Sequence, residues 1–193
     1  MSEYLDRKVV MQTIVEREWQ MFHQIESSNN AQCVNNKREF MTIRWALFGV
    51  WDDKTLEAYL YDLICAANEQ RNIVAEKYAR MEQAFKPSKD PIITEIVHIE
   101  KEWHRQIKEK YPYVHARMCR QERRRKDGYD FECYLQSELE TYSRVTLQSY
   151  RDNVLKNHQL GENLAEKSLS MLARSSGHES IQQLETSLKN DAR

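Results

Sequence analysis

Several charged side chains in this chain sit where helical spacing calls for apolar ones, and they are the residues able to do chemistry. Glu18 lies four after Ile14, three before Met21 and four before Phe22. Arg44 lies four after Phe40 and three before Leu47. Lys77 lies three after Val74 and four before Met81, and Lys167 repeats that setting between Leu164 and Met171. Glu138 sits between Tyr134 and Tyr142. A buried charge without a partner is costly, so these groups are expected to find one another or a ligand. One reading is a set of structural ion pairs, with the lysines reaching the surface along their alkyl stems. The other is a pocket in which Arg44 or a lysine fixes a carboxylate and a desolvated glutamate takes a proton.

Other constellations are weaker. Glu95-x-x-His98 with Glu102 has the ligand spacing of dimetal helical bundles, but the first half of the chain lacks the second copy such a site needs. Cys33, Cys119, His115 and His23 could supply four zinc ligands, though their spacings match no known finger. Cys33 is also a conceivable loop nucleophile or ligand contact without an identifiable base. Arg117, Arg120, Arg123, Arg124, Arg125 and Lys126 form a basic run suited to carboxylate or phosphate, or simply to solvent. The expected metal set and the expected cofactor are both none.

The elements that must hold these residues are helices. Only 4 Gly and 3 Pro among 193 residues leave too few turn formers for a β-rich fold. Charged residues at 31% beside 40% hydrophobic suit amphipathic helices. A formal charge of −1 gives no overall pull toward nucleic acid or anionic membrane. No apolar run is long enough for a membrane span, the first residues lack a signal-peptide core, and the four cysteines are scattered. A cytoplasmic protein with reduced thiols is expected. Caps are expected at Asp52 or Asp53, Asn72, Asp90, Ser143 and Asn163, with Phe85 on the inner face of the fourth helix. Lys110-Tyr111-Pro112 should end the fifth helix, a polar loop should follow, and helix should resume near Phe131.

The chain also repeats itself. Thr55-Leu56-x-x-Tyr59 recurs as Thr146-Leu147-x-x-Tyr150, and Ala75-Glu76-Lys77 as Ala165-Glu166-Lys167. Phe40 is echoed by Phe131, and Glu18-Trp19 by Glu102-Trp103. The offset is 91 for Phe40, Thr55, Leu56 and Tyr59 and 84 for Glu18-Trp19, which places seven extra residues in the loop after the first helix of the second copy. The fold expected is all-α, a single domain over 1–193. It would hold two tandem repeats of about four helices, about 4–86 and about 90–176, and a short amphipathic tail over 178–193.

Glu18-Trp19-x-Met21-Phe22, Cys33, Arg44, Thr55-Leu56-x-x-Tyr59-Leu60-x-x-Leu63 and Asn72-x-x-Ala75-Glu76-Lys77-Tyr78-Ala79-Arg80-Met81 together resemble a bacterial family. It is the one numbered 4125 among domains of unknown function. Lys110-Tyr111-Pro112, Arg117, Tyr134-Leu135, Glu138-Leu139 and Thr141-Tyr142-Ser143 extend the resemblance to most of the chain. It implies an all-helical protein of about this length and carries over no activity. Ser28-Asn29-Asn30-Ala31-Gln32 before Cys33 and Asn35-Asn36 after it depart from the Gly-containing stretch and acidic pair typical of that family.

The function expected is binding of an anionic or amino-acid-like small molecule between the repeats, with or without cofactor-free catalysis. Glu18, Lys77 and Glu138 are the expected catalytic groups, and Arg44, Arg117, Lys167 and Cys33 the ligand contacts. Nucleic acid and membrane are not expected partners, and a homodimer stays open. The alternatives are a helical-repeat interaction module without catalysis, and a metal-dependent helical-bundle oxidase.

Overall fold

The computed structural model describes residues 6–25, 37–119 and 130–192. All their regular structure is helical. The helices are α1 (Arg7–His23), α2 (Lys37–Phe48), α3 (Asp53–Asn68), α4 (Ile73–Met81), α5 (Pro91–Lys110), α6 (Pro112–Met118), α7 (Phe131–Leu139), α8 (Arg144–Gln159), α9 (Leu164–Ser175) and α10 (Ile181–Asp191). The all-α expectation therefore holds. Cys33 and the basic run from Arg120 to Lys126 lie outside the described residues.

Capping side chains set most helix starts. Asp52, Asn72, Asp90, Ser143 and Asn163 each accept a bond from a backbone N–H in the first turn of the helix that follows. Asn72 and Asn163 do more. The Asn72 amide donates to the Met21 carbonyl at 2.7 Å and that of Asn163 to the Trp103 carbonyl at 3.0 Å. Each thus ties its own helix, α4 or α9, to the long helix it packs on, α1 or α5. Asn72→Ala and Asn163→Ala are each expected to lose about 1–2 kcal/mol, a cap plus a buried hydrogen bond, read by urea denaturation.

Two elements differ from the sequence expectation. α4 stops at Met81, and Phe85 stands 37% exposed beyond it. Pro87 disfavours helix at Lys86, so the run cannot continue into α5. Pro112 ends α5 as expected but also serves as the first residue of the short α6, where its missing N–H costs nothing. Backbone N–H groups of Tyr113 and Val114 at that helix start are taken by the Glu185 carboxylate of α10, at 3.1 and 2.7 Å.

α1 packs against α2, α3 and α4, and α5 against α7, α8 and α9. α3 lies on α8, α2 on α9, and α4 on α7. The main core runs through these contacts from Val10, Ile14 and Val15 to Ile96, Trp103, Leu147 and Val154. A smaller core, Ile107, Val114, Leu169, Ala173, Ile181 and Leu184, seats α6 and α10 against α5 and α9. The tail is a packed helix.

Candidate functional site

Four of the charges that broke the helical pattern meet in the interior. Arg44 (α2) donates from Nε and Nη2 to the two oxygens of Glu18 (α1), and from Nη2 to Glu138 (α7) at 2.8 Å. Tyr59 (α3) donates its hydroxyl to Glu18 at 2.7 Å, and Tyr142 reaches Glu138 at 3.4 Å. Lys77 (α4) lies 3.7 Å from the other Glu138 oxygen and donates to the Tyr134 hydroxyl at 3.0 Å. Glu18, Arg44 and Lys77 are buried, while Glu138 and Tyr134 keep a partial opening to solvent. Two carboxylates face two cations, so these four charges balance. Aromatic faces complete the setting: Arg44 lies 4.7 Å from the Phe48 ring centre and Lys77 4.4 Å from that of Tyr134.

Electrostatics fix the protonation states. Burial works to raise the Glu138 carboxyl, but Arg44 and then Lys77 outweigh it and hold it at about 2. Burial works to lower Lys77, and Glu138 and Tyr134 reverse this, leaving its pKa above the ordinary lysine value. Arg44 is likewise raised, by Glu138 and Glu18 against burial. At neutral pH Glu138 is thus an anion and Lys77 a cation, positions from which each binds charge well and exchanges protons poorly.

One carboxyl in the same region behaves differently. Glu100 (α5) accepts the Tyr150 hydroxyl, just as Glu18 accepts that of Tyr59, but no arginine among the described residues bonds to it. Burial pushes its pKa up to about 7, the Tyr150 bond opposes this, and the Glu138 charge adds to the rise. The aromatic rings of Trp51, Tyr59, Tyr142 and Tyr150 fill the space between the two glutamate–tyrosine pairs, with centres 4.8 to 6.1 Å apart.

Several bonds recur at fixed spacings along the chain. Glu18, Met21 and Gln24 make bonds like those of Glu100, Trp103 and Gln106, each pair 82 apart, a spacing that differs from the 84 between Glu18-Trp19 and Glu102-Trp103. The caps Asn72 and Asn163 are 91 apart, and counted from them the position five residues on is Lys77 in α4 and buried Ser168 in α9. Lys167 is therefore one position, about 100° of helix, away from the interior. It is exposed and bonded to Glu162 and Asn157 at the end of α8, outside the cluster. The shared Ala-Glu-Lys tripeptide had suggested otherwise.

Arg117 is also away from the cluster, exposed on α6. The dimetal reading separates: Glu95 pairs with Arg151, while His98 and Glu102 line an open groove of about 570 Å³ with Ser88, Thr94, Lys101 and Arg105. That groove shares no lining residue with the ionic cluster. Of the four zinc ligands considered, His115 and Cys119 come together and are joined by His104, with all three donor atoms within 4.8 Å. His23 instead stacks on Trp19 at the end of α1. Glu100 and His104 were missed. Glu100 could have been found by the rule that found Glu18, since it lies four after Ile96 and three before Trp103. His104 meets its neighbours only through the packing of α6 on α5.

A family model matches residues 8–186. The chain belongs to the family described as Protein of unknown function (DUF4125). No curated protein and no solved structure matches it. Within this DUF4125 chain, no described helix is long and apolar enough to cross a membrane.

Proposed function

We propose that this DUF4125 protein binds a small anionic or amino-acid-like molecule at the outer end of the ionic cluster, and moves a proton on it without a cofactor. The observation that carries this reading is a pair of interacting carboxyls pushed apart, Glu138 to about 2 beside Arg44 and Lys77, and Glu100 to about 7 in its buried setting against Tyr150. Such a split is how one site keeps a permanent anion and a proton carrier at neutral pH. Lys77 would hold the ligand's carboxylate. Its separation of 3.7 Å from Glu138 is longer than a hydrogen bond, so a ligand oxygen at shorter range could accept a bond that Glu138 does not. Glu100 replaces Glu18 as the acid–base group, because both Glu18 oxygens are already engaged by Arg44 and Tyr59.

The reading includes a duplicated architecture, repeats of about 4–86 and 90–176. Support comes from the contacts: exchanging α1 with α5, α2 with α7, α3 with α8 and α4 with α9 turns the set of packed pairs among these helices into itself. The cluster would then lie between the repeats, its arginine kept in one and lost in the other.

A thermal-shift panel of amino acids and mono- and dicarboxylates at neutral pH tests binding. At least one member should raise the melting temperature, and Lys77→Met should abolish that response. Full response in Lys77→Met, or none in the parent protein, would refute the site.

A second reading rests on Ile43 and Leu47, one helical turn apart on α2 and 39% and 38% exposed. They favour an interaction surface, for a second copy or another protein. Concentration-dependent sedimentation lost on Ile43→Ser with Leu47→Ser would support it over ligand binding.

A further inference from the structure

We propose a zinc-binding site formed by His104, His115 and Cys119, separate from the ionic cluster. His115 and Cys119 are one helical turn apart at the end of α6, and the Cys119 N–H bonds the His115 carbonyl at 3.1 Å, which fixes the two side chains on one face. His104 comes from the middle of α5, on which α6 packs. The three donor atoms all lie within 4.8 Å of one another. A tetrahedral zinc ion, at roughly 2.0–2.3 Å from nitrogen and sulfur, sets its donors about 3.3–3.8 Å apart, so modest side-chain rotations close the gap.

Several features point to an ion rather than to ordinary packing. His115 and Cys119 are 3% and 5% exposed. The His104 Nδ1 is buried without a hydrogen-bond partner among the described residues, which is costly for a ring nitrogen unless something else engages it. Phe131 lies against the His104 ring, centres 3.8 Å apart, and restricts its orientation. Two imidazoles and one thiol, with no carboxylate among the described residues of the group, select a borderline-soft ion over magnesium or calcium. Binding displaces the thiol proton to solvent, giving a thiolate ligand, and involves no redox change. The ion would clamp the seven-residue α6 to α5. This departs from the sequence expectation of no metal, which had paired His115 and Cys119 with His23 and Cys33.

The full chain, stripped with chelator and titrated with Zn²⁺ against a chromophoric competitor, is expected to take up one equivalent. X-ray absorption on the unaltered zinc protein should show one sulfur and two imidazole scatterers. Co²⁺ should give a thiolate charge-transfer band. Cys119→Ser should weaken zinc at least tenfold and remove that band, while Cys65→Ser leaves both unchanged. Uptake far below one equivalent, a coordination shell without imidazole or with two or more sulfurs, or unchanged affinity in a folded Cys119→Ser protein would overturn the assignment. The absorption measurement on the unaltered chain decides the matter should Cys119→Ser fail to fold.

Discussion

Arg44→Met should be among the most damaging single substitutions in this protein, with an expected loss of about 3–5 kcal/mol in urea denaturation at neutral pH. Three hydrogen bonds end on this guanidinium, and its removal strands Glu18 with only the Tyr59 hydroxyl and leaves Glu138 with Lys77 and Tyr142. Methionine fills the alkyl path and keeps contact with Phe48, so packing is a small part of the effect. Against a typical total stability of about 5–15 kcal/mol, the variant would be close to unfolding. Glu18→Leu in the Arg44→Met background should restore part of the loss, since removing both partners of the pair is less harmful than stranding one. The coupling between the two sites should exceed about 1 kcal/mol. A loss below about 1 kcal/mol for Arg44→Met would mean that water reaches the pair and that its burial is energetically unimportant.

Glu100→Gln should produce the largest change in pH dependence. The folded protein holds the Glu100 proton to about 7 against an ordinary 4.5, so between these values the folded state binds more protons than the unfolded one. Stability contributed by the protonated group is therefore fully present below about 4.5 and is lost as pH rises through 7. The loss should reach ~2–3 kcal/mol above neutrality, an upper value for a half-buried group. Glutamine keeps an oxygen to accept the Tyr150 hydroxyl and has no charge to desolvate. Its stability should match the parent at mildly acidic pH and exceed it by about 2 kcal/mol at slightly alkaline pH. Glu138 acts with the opposite sign: its pKa is depressed, so its contribution is present above about 4.5 and is lost as pH falls through about 2. Parallel stability curves for Glu100→Gln and the parent from acid to alkaline pH would exclude a raised Glu100.

Much of this was legible in the sequence, for identifiable reasons. A helix buries one stripe, so a charge on that stripe is visible from spacing alone, and Glu18, Arg44, Lys77 and Glu138 do converge. Caps are local chemistry, and Asp52, Asn72, Asp90, Ser143 and Asn163 all cap. Register between distant segments is different. The Ala-Glu-Lys match was one residue out of step with the Asn72 and Asn163 caps, and on a helix one residue is enough to turn Lys167 into water. Pairing Glu18 with Glu102 drew notice away from Glu100, two residues earlier, which accepts a tyrosine hydroxyl as Glu18 does. His104 illustrates a further limit. His115 and Cys119 are eleven and fifteen residues on, in and just after the separate short helix that starts at Pro112, and no periodicity within α5 marks His104 out.

Carboxyl carbon shifts followed by NMR from acid to alkaline pH, assigned with Glu100→Gln and Glu138→Gln, test the central claim most directly. The account predicts that Glu100 titrates near 7 and Glu138 near 2. Both titrating together close to the ordinary 4.5 would contradict it, since the two carboxyls would then feel neither burial nor the charges beside them.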